Sequence, residues 1–427
     1  MILVSLVFLL VLLGLSIPVG VALGVLGLSL DQIYSVMPLH LAVAEISWDA
    51  STNILLVAIP LFVMLGEILL RSGIADELYQ GTAHWLSWLP GGLMHANIGT
   101  SMAFAATSGS SAATAATIGT IAVPLVDRYG YNERLFLGSL AAGGTLGILI
   151  PPSINMIIYG WLTDTSVPDL YLAGILPGIL LAGLFGLAII VCCAFRPAWG
   201  GRRIESGWRQ RFSLLPALLP PLAIFIVVIG SIYAGWATPT ESAALGVACA
   251  LLLAVIRRRL TLRMLHEALE GTMRTTAMIA LLLCGAWFLN FTLTTLGVTD
   301  AINQFMTTYA VTPFGTLMTI IVLYLIMGCF MESMVLMIVT VPVVTPVVVA
   351  AGYDPVWFGI LIVLLIETAM ITPPFGINLF IVQGVRRRGG INDIIIGVVP
   401  FVFSLLAMIA MIIFFPQIAL WLPQLAR

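Results

Sequence analysis

The sequence predicts an all-α polytopic membrane protein made of two inverted-topology repeats. Each repeat carries a re-entrant hairpin and a helix interrupted at a Pro-Pro pair. Three observations lead there: the composition, an internal repeat and the placement of arginine. Of 427 residues, 61% are hydrophobic and 8% charged, against about 45–50% and about 25% in soluble domains. Charge-free runs recur at 2–30, 135–163, 170–195, 214–240, 275–299 and 394–426. Crossing a bilayer takes about 20 apolar helical residues, so each run is long enough to span one.

The second observation is self-similarity at a nearly constant offset. Pro124, Gly130-Tyr131, Phe136 and Pro151-Pro152 recur 222 positions later as Pro346, Gly352-Tyr353, Phe358 and Pro373-Pro374. "ALGV" at 22–25 recurs at 244–247, and Ser72–Asp76 loosely matches Leu296–Asp300. After the prolines, "PPSINMIIYG" faces "PPFGINLFIVQG" with one residue inserted, which pairs Asn155 with Asn378. The third observation fixes the relative orientation. Arg71, Arg128 and Arg134 in the first half, and Arg257–Arg259 and Arg386–Arg388 in the second, each face an arginine-free loop in the other half. Arginine-bearing short loops stay in the cytoplasm, so the halves run through the membrane in opposite senses.

The first repeat is expected over 1–195. Its N-terminus lies in the cytoplasm, and its apolar run is too long for a removed signal peptide. A helix at 3–28 crosses outward, 54–70 returns, and an interfacial arm follows at 74–90. Segment 92–126, rich in Gly, Ser, Thr and Ala, reads as a re-entrant hairpin that begins and ends on the cytoplasmic side. Helix 135–163 is broken at Pro151-Pro152, and 170–195 returns. A connector with five arginines and an extra helix at 213–234 occupy 196–239. The second repeat, 240–427, has its hairpin at 314–349 and its broken helix at 357–385.

The breaks point to a binding site. A Pro-Pro pair removes two amide donors and frees carbonyls one turn earlier. Lipid cannot satisfy those groups, so such breaks are tolerated only against protein or a wet cavity. A lone break reads equally well as a plain kink; two at equivalent inverted positions, each followed by Asn, read as a site. The freed carbonyls suit a hard cation, and half-helix N-termini suit an anion. The run Thr107–Thr114 adds small hydroxyl side chains that fit a sodium ion, although such runs also serve close helix packing. It aligns with Met331-Glu332-Ser333-Met334 of the second hairpin. Among intramembrane acids, Glu332 and Glu367 are candidates for coupling or gating. Glu241 fits a helix start, and Glu67 fits a structural pair with Arg71 one turn on.

Other chemistry is excluded or unsupported. All seventeen basic residues are arginine, so neither a Walker A lysine nor a lysine Schiff base is available. The four histidines have no HExxH or other ligand spacing, and the five cysteines lack CxxC spacing and read as small hydrophobes. No basic patch with interleaved aromatics suggests nucleic acid. The serine cluster at 108–111 has no histidine at a repeat-supported position, which argues against an intramembrane enzyme, and two sealed half-helix sites argue against a passive channel.

At these residues the chain resembles the large membrane (permease) subunit of tripartite ATP-independent periplasmic (TRAP) transporters. The segments carrying the resemblance are "GEILLRSGIADELY" (66–79), "ATSGSSAATAATIGTIAVP" (106–124), "GGTLGILIPPSIN" (143–155), "TPTESAALGV" (238–247) and "ETAMITPPFGINLF" (367–380). The resemblance implies an elevator-type secondary transporter in the bacterial inner membrane, with sodium as coupling ion and no other cofactor. It implies organic acids bearing a carboxylate as substrates, a small four-helix membrane subunit on a separate chain, and a periplasmic substrate-binding protein that carries most of the selectivity. Carried over by motif, Ser108, Ser110, Thr145, Gly147 and Asn155 would hold one sodium ion. Ser333, Thr368, Thr372, Gly376 and Asn378 would hold another. Each ion would lie between a hairpin and the broken helix of its own half. The substrate would sit between the hairpin tips, with Ser111, Pro151, Pro152, Glu332, Glu367, Pro373 and Pro374 as substrate or gating residues. The alternative is a stand-alone sodium/dicarboxylate symporter of similar inverted-repeat plan, which would need no binding protein.

Overall fold

The computed structural model describes residues 2–15, 17–298, 312–374 and 376–426. Among these the regular structure is helical. Among the described residues five helices are long and apolar enough to cross a membrane, or up to eight if each bent pair counts as one span.

The expected helix 3–28 is two helices, α1 (Ile2–Gly14) and α2 (Val19–Tyr34). Pro18 directly precedes α2, and proline pushes the residue before it out of the helical region. A helix not anticipated from the sequence, α3 (Val43–Thr52), comes before α4 (Ala58–Arg71), which replaces the expected 54–70. The arm α5 (Ile74–Leu86) leaves α4 at 70°, a turn made at Gly73 with φ +71°.

The first hairpin is α6 (Leu93–Ser108) and α7 (Ser111–Ala122), turning at Gly109 with φ +60°. A short α8 (Leu125–Tyr129) follows. The first broken helix is α9 (Glu133–Leu149) and α10 (Ile154–Thr163), bent by 42°. Next come α11 (Val167–Phe195), a short α12 (Trp208–Ser213) and α13 (Leu219–Tyr233), the extra helix, which starts later than expected.

The second half opens with α14 (Pro239–Ile256) and α15 (Leu262–Thr295). The expected match at Thr299 and Asp300 lies outside the described residues. The second hairpin is α16 (Pro313–Gly328) and α17 (Ser333–Ala350), and the second broken helix is α18 (Pro355–Ile371) and α19 (Ile377–Arg386). The chain closes with α20 (Ile391–Phe414) and α21 (Gln417–Ala426). Both Pro-Pro bonds, at 151–152 and 373–374, are cis.

Packing sorts the helices into two bodies. In one, α2 lies along α15, α4 lies between α14 and α15, and α13 lies against α14. Glycines permit the close approach of α2 to α15: a Cβ on Gly20 would come within 2.9 Å of the Leu281 backbone. In the other body, α9 is surrounded by α6, α7, α18 and α20. Every residue of α9 from Leu135 to Leu149, and of α18 from Val356 to Ile371, is buried. Helices apolar on all sides belong inside a protein, so both interrupted helices are shielded from lipid along their whole buried length.

Ion pairs knit the helix ends. Arg386, whose side chain is 4% exposed, meets Glu133 at 2.8 Å and Asp393 at 3.2 Å. Arg388 meets Asp127 at 2.7 Å, and Arg134 meets Asp393 at 2.9 Å. Arg71 bridges Glu67 at 2.9 Å and Glu267 at 3.3 Å, and Arg257 meets Glu77 at 2.6 Å. Replacing Arg386 by glutamine removes the buried partner of Glu133 and Asp393 and leaves them only the exposed Arg388 and Arg134, which costs about 1–3 kcal/mol. The expected result is a clear fall in the melting temperature of the purified protein; an unchanged melting curve would refute a structural role. The Arg388 guanidinium holds the exposed Asp127 carboxyl below the usual carboxylate range. That contribution is complete above about pH 4, the ordinary aspartate value, and is lost as pH falls through the lowered one.

Candidate functional site

The tip of the first hairpin rests on the break between α9 and α10. A Cβ on Gly147 would lie 2.6 Å from the Ser110 carbonyl oxygen, and one on Gly109 would lie 2.9 Å from that of Pro152. Backbone therefore meets backbone here, and only glycine allows it. Around the contact, Ser108 Oγ lies 2.9 Å from Thr114 Oγ1, and Thr114 donates to the Ser110 carbonyl at 2.8 Å. Thr145 donates to the Ala142 carbonyl at 2.7 Å. Ser153 caps α10 and donates to the Ile148 carbonyl at 2.6 Å, bridging the break beside Pro151 and Pro152.

At the second hairpin, Glu332 caps α17. Its carboxylate accepts from the Met334 and Val335 amides at 2.9 and 3.2 Å and from Ser333 Oγ at 2.6 Å. Thr368 and Thr372 donate to the carbonyls of Leu364 and Thr368 at 2.8 and 2.6 Å. A cavity of about 10 Å³, lined by Gly328, Ser333, Ile366, Ala369, Met370 and Ile377, lies between this hairpin and the α18–α19 break. Space of that size holds about one water-sized particle. Gly376 follows Pro373-Pro374 and precedes α19.

The two halves exchange their second half-helices. α10 packs on α17 of the second hairpin, and α19 packs on α7 and α9 of the first half. Asn378, grouped by motif with the second hairpin, accordingly donates to Ser111 Oγ at 2.9 Å and to the Ala141 carbonyl at 3.2 Å. Glu367 is fully buried on α18, and its carboxyl faces the Thr145 hydroxyl and Ile148 amide of the first half. Neither of its oxygens has a hydrogen-bond partner among the described residues. Sequence offsets align equivalent residues but carry no sign of which half receives them.

Between the hairpin tips lies a cleft of about 540 Å³, within the usual range for small-molecule sites. Gly109–Ala113, Asn155 and Glu332–Val335 line one side; Pro18–Gly20 of the α2 entry and Met278, Leu281 and Leu282 of α15 line the other. The cleft thus sits where the two bodies meet. The N-termini of α7 and α17 both border it, and Glu332 supplies the charge among its lining residues. Sequence reasoning missed the α2 and α15 wall, although the proline at 18 was a legible signal. Glu67 is paired with Arg71, and Glu241 closes a capping box with Thr238 at 2.7 Å, so both acids are committed to structure.

Two hairpins and two broken helices, buried in one body and bordering a shared cleft against another, define a multi-pass transport permease. The chain belongs to the family described as "Tripartite ATP-independent periplasmic transporter, DctM component", whose family model it matches over residues 6–418. It is 32% identical over 385 residues to the C4-dicarboxylate TRAP transporter large permease protein DctM of Rhodobacter capsulatus, covering 87% of each chain. It is likewise 32% identical over 376 residues to the ectoine TRAP transporter large permease protein TeaC of Halomonas elongata, covering 87% of this chain and 86% of that one. Among solved structures, the Alcanivorax borkumensis YdaH transporter matches with a TM-score of 0.63 at 16% identity, over 98% of this chain and 97% of that one. That likeness concerns the fold alone.

Proposed function

We propose that this protein is the large permease subunit of a sodium-driven TRAP transporter importing an organic acid. In this reading, a periplasmic binding protein delivers the substrate and a small membrane subunit completes the permease. The observation that carries it is the cleft at the junction of the two bodies. The N-terminus of α7 borders it, and backbone N–H groups at such an end favour a carboxylate, whereas the α17 end is already capped by Glu332. Beside it, freed carbonyls, hydroxyls and unpaired amide oxygens at the breaks offer the hard donors that a sodium ion prefers. The two-body packing supports an elevator mechanism, in which the body holding both hairpins moves past the body built on α2, α4, α14 and α15.

The ion pairs support the inverted orientation. Arg134, Arg386 and Arg388 meet in one cluster, while Arg71 and Arg257 join first-half to second-half acids in or beside α4, α5 and α15. The connector joins the same face: Trp85 donates to the Arg211 carbonyl at 3.1 Å, and the Arg202 amide donates to the Tyr129 carbonyl at 2.8 Å. Arginine-bearing loops from both halves thus share a side, which we assign to the cytoplasm with the N-terminus. The motif nominates the sodium and substrate residues named from the sequence, with Asn378 seated against the first half at Ser111 and the Ala141 carbonyl. The test is uptake into vesicles holding the permease and its small subunit. An inward sodium gradient should drive accumulation only when the cognate binding protein is present outside. Sodium-driven uptake without a binding protein would favour the stand-alone symporter instead.

A further inference from the structure

Asn155 and Asn378 hold equivalent places in the two halves, but their amides are engaged differently. Asn378 spends Nδ2 on Ser111 Oγ and the Ala141 carbonyl. A carbonyl only accepts, so that contact fixes which end of the amide is the nitrogen. Its Oδ1 alone is left buried and unpartnered. Asn155 is 1% exposed, and neither Oδ1 nor Nδ2 has a partner among the described residues.

Leaving a buried polar group unsatisfied costs about 1–3 kcal/mol, and native interiors rarely keep one without a reason. Asn155 keeps two, on one side chain, in the wall of the cleft beside Ser110 and Ser111 at the N-terminal end of α7. The two ends require opposite partners. An amide oxygen coordinates a cation; an amide NH2 group cannot, and needs an acceptor such as a carboxylate.

Resting on the sodium-driven reading above, we infer that Asn155 contacts both solutes, with Oδ1 on a sodium ion and Nδ2 on the substrate carboxylate, whereas Asn378 serves the cation alone. With only one solute aboard, one end of the Asn155 amide stays unsatisfied. Each solute therefore raises the affinity for the other, and by thermodynamic necessity the two effects are equal. The equivalent asparagines thus divide the labour: one links ion to substrate, and the other ties the ion to the first hairpin through Ser111.

The experiment is thermal unfolding of the purified full-length chain. Sodium chloride is titrated against potassium chloride, each with and without acetate, succinate, ectoine or N-acetylneuraminate as carboxylate probes. Sodium should raise the wild-type melting temperature. At least one carboxylate should raise it further in sodium and not in potassium, lowering the half-saturating sodium concentration by roughly 5-fold or more. Asn155→Asp keeps an oxygen for the ion and presents a negative charge to the carboxylate. It should retain the sodium response and lose the carboxylate response. Asn378→Ser should weaken the sodium response while the carboxylate still acts once sodium is saturating. Should Asn155→Asp fail to fold, Asn155→Leu, near-isosteric and apolar, should weaken the sodium response and lose the carboxylate response. A carboxylate response retained in either Asn155 variant, or a wild type that answers to sodium and to no carboxylate, overturns the inference alone. A wild type blind to sodium overturns the sodium-driven reading as well.

Discussion

Replacing Asn155 and Asn378 together by alanine is expected to abolish sodium-dependent uptake in reconstituted vesicles, a loss of about 100-fold or more. Each substitution removes a buried amide oxygen that no group among the described residues satisfies. Two such losses at about 1.5 kcal/mol each multiply to roughly two orders of magnitude. Asn378→Ala also deprives Ser111 and the Ala141 carbonyl of their donor, so it should additionally loosen the seat of α19 on the first hairpin. Each single variant should show a shallower dependence of rate on sodium concentration. Uptake by the double variant with unchanged sodium dependence would remove both asparagines from the ion path.

The second large effect is on folding. α9 and α20 cross with glycine at the contact: a Cβ on Gly138 would collide with the Gly397 carbonyl, and one on Gly397 with the Arg134 carbonyl. Neither obstacle is a flexible side-chain end, so Gly397→Leu must push two helix backbones apart. Overpacking of this kind costs about 3 kcal/mol, and here it displaces the helix that carries Thr145 and Gly147. The protein should lose its monodisperse peak in size-exclusion chromatography. Gly384→Ala is the control, because nothing lies within 4 Å of its added Cβ and alanine favours a helix interior by roughly 0.5–1 kcal/mol. It should leave the peak intact or sharpen it, and a Gly397→Leu protein as stable as wild type would refute the close crossing.

Much of this was legible in the sequence because its cues are strong and local. Pro151-Pro152 and Pro373-Pro374 end helices wherever they occur, and Gly109 and Gly130 mark left-handed turns. The offset of 222 tied the weak cues to one another. The failures have physical causes. Pro18 sits inside an apolar run that hydropathy reads as continuous, yet a helix readily begins just after a proline. α15 reaches back to Leu262 through charged residues because Arg263–Glu267 and Arg274–Glu270 pair one turn apart and keep the exposed face helical. The residue types of the candidate site were readable, but their neighbours were not. Asn378 looks toward the first half because second half-helices are exchanged, and Glu367 because α18 packs on α9; linear order carries no trace of either.

The exchange also imposes a timetable on biosynthesis. Asn378 lies 267 residues beyond Ser111, and ribosomes add roughly 5–20 residues each second. The first hairpin and α9 therefore wait roughly 13–53 s before α18 and α19 emerge to cover them. Through that interval Ser111 and the Ala141 carbonyl stand open in a chain already entering the bilayer. A ribosome that stalls or terminates before α18 would leave an apolar first half whose polar seam has nothing to close it, the kind of product a membrane protease should recognise.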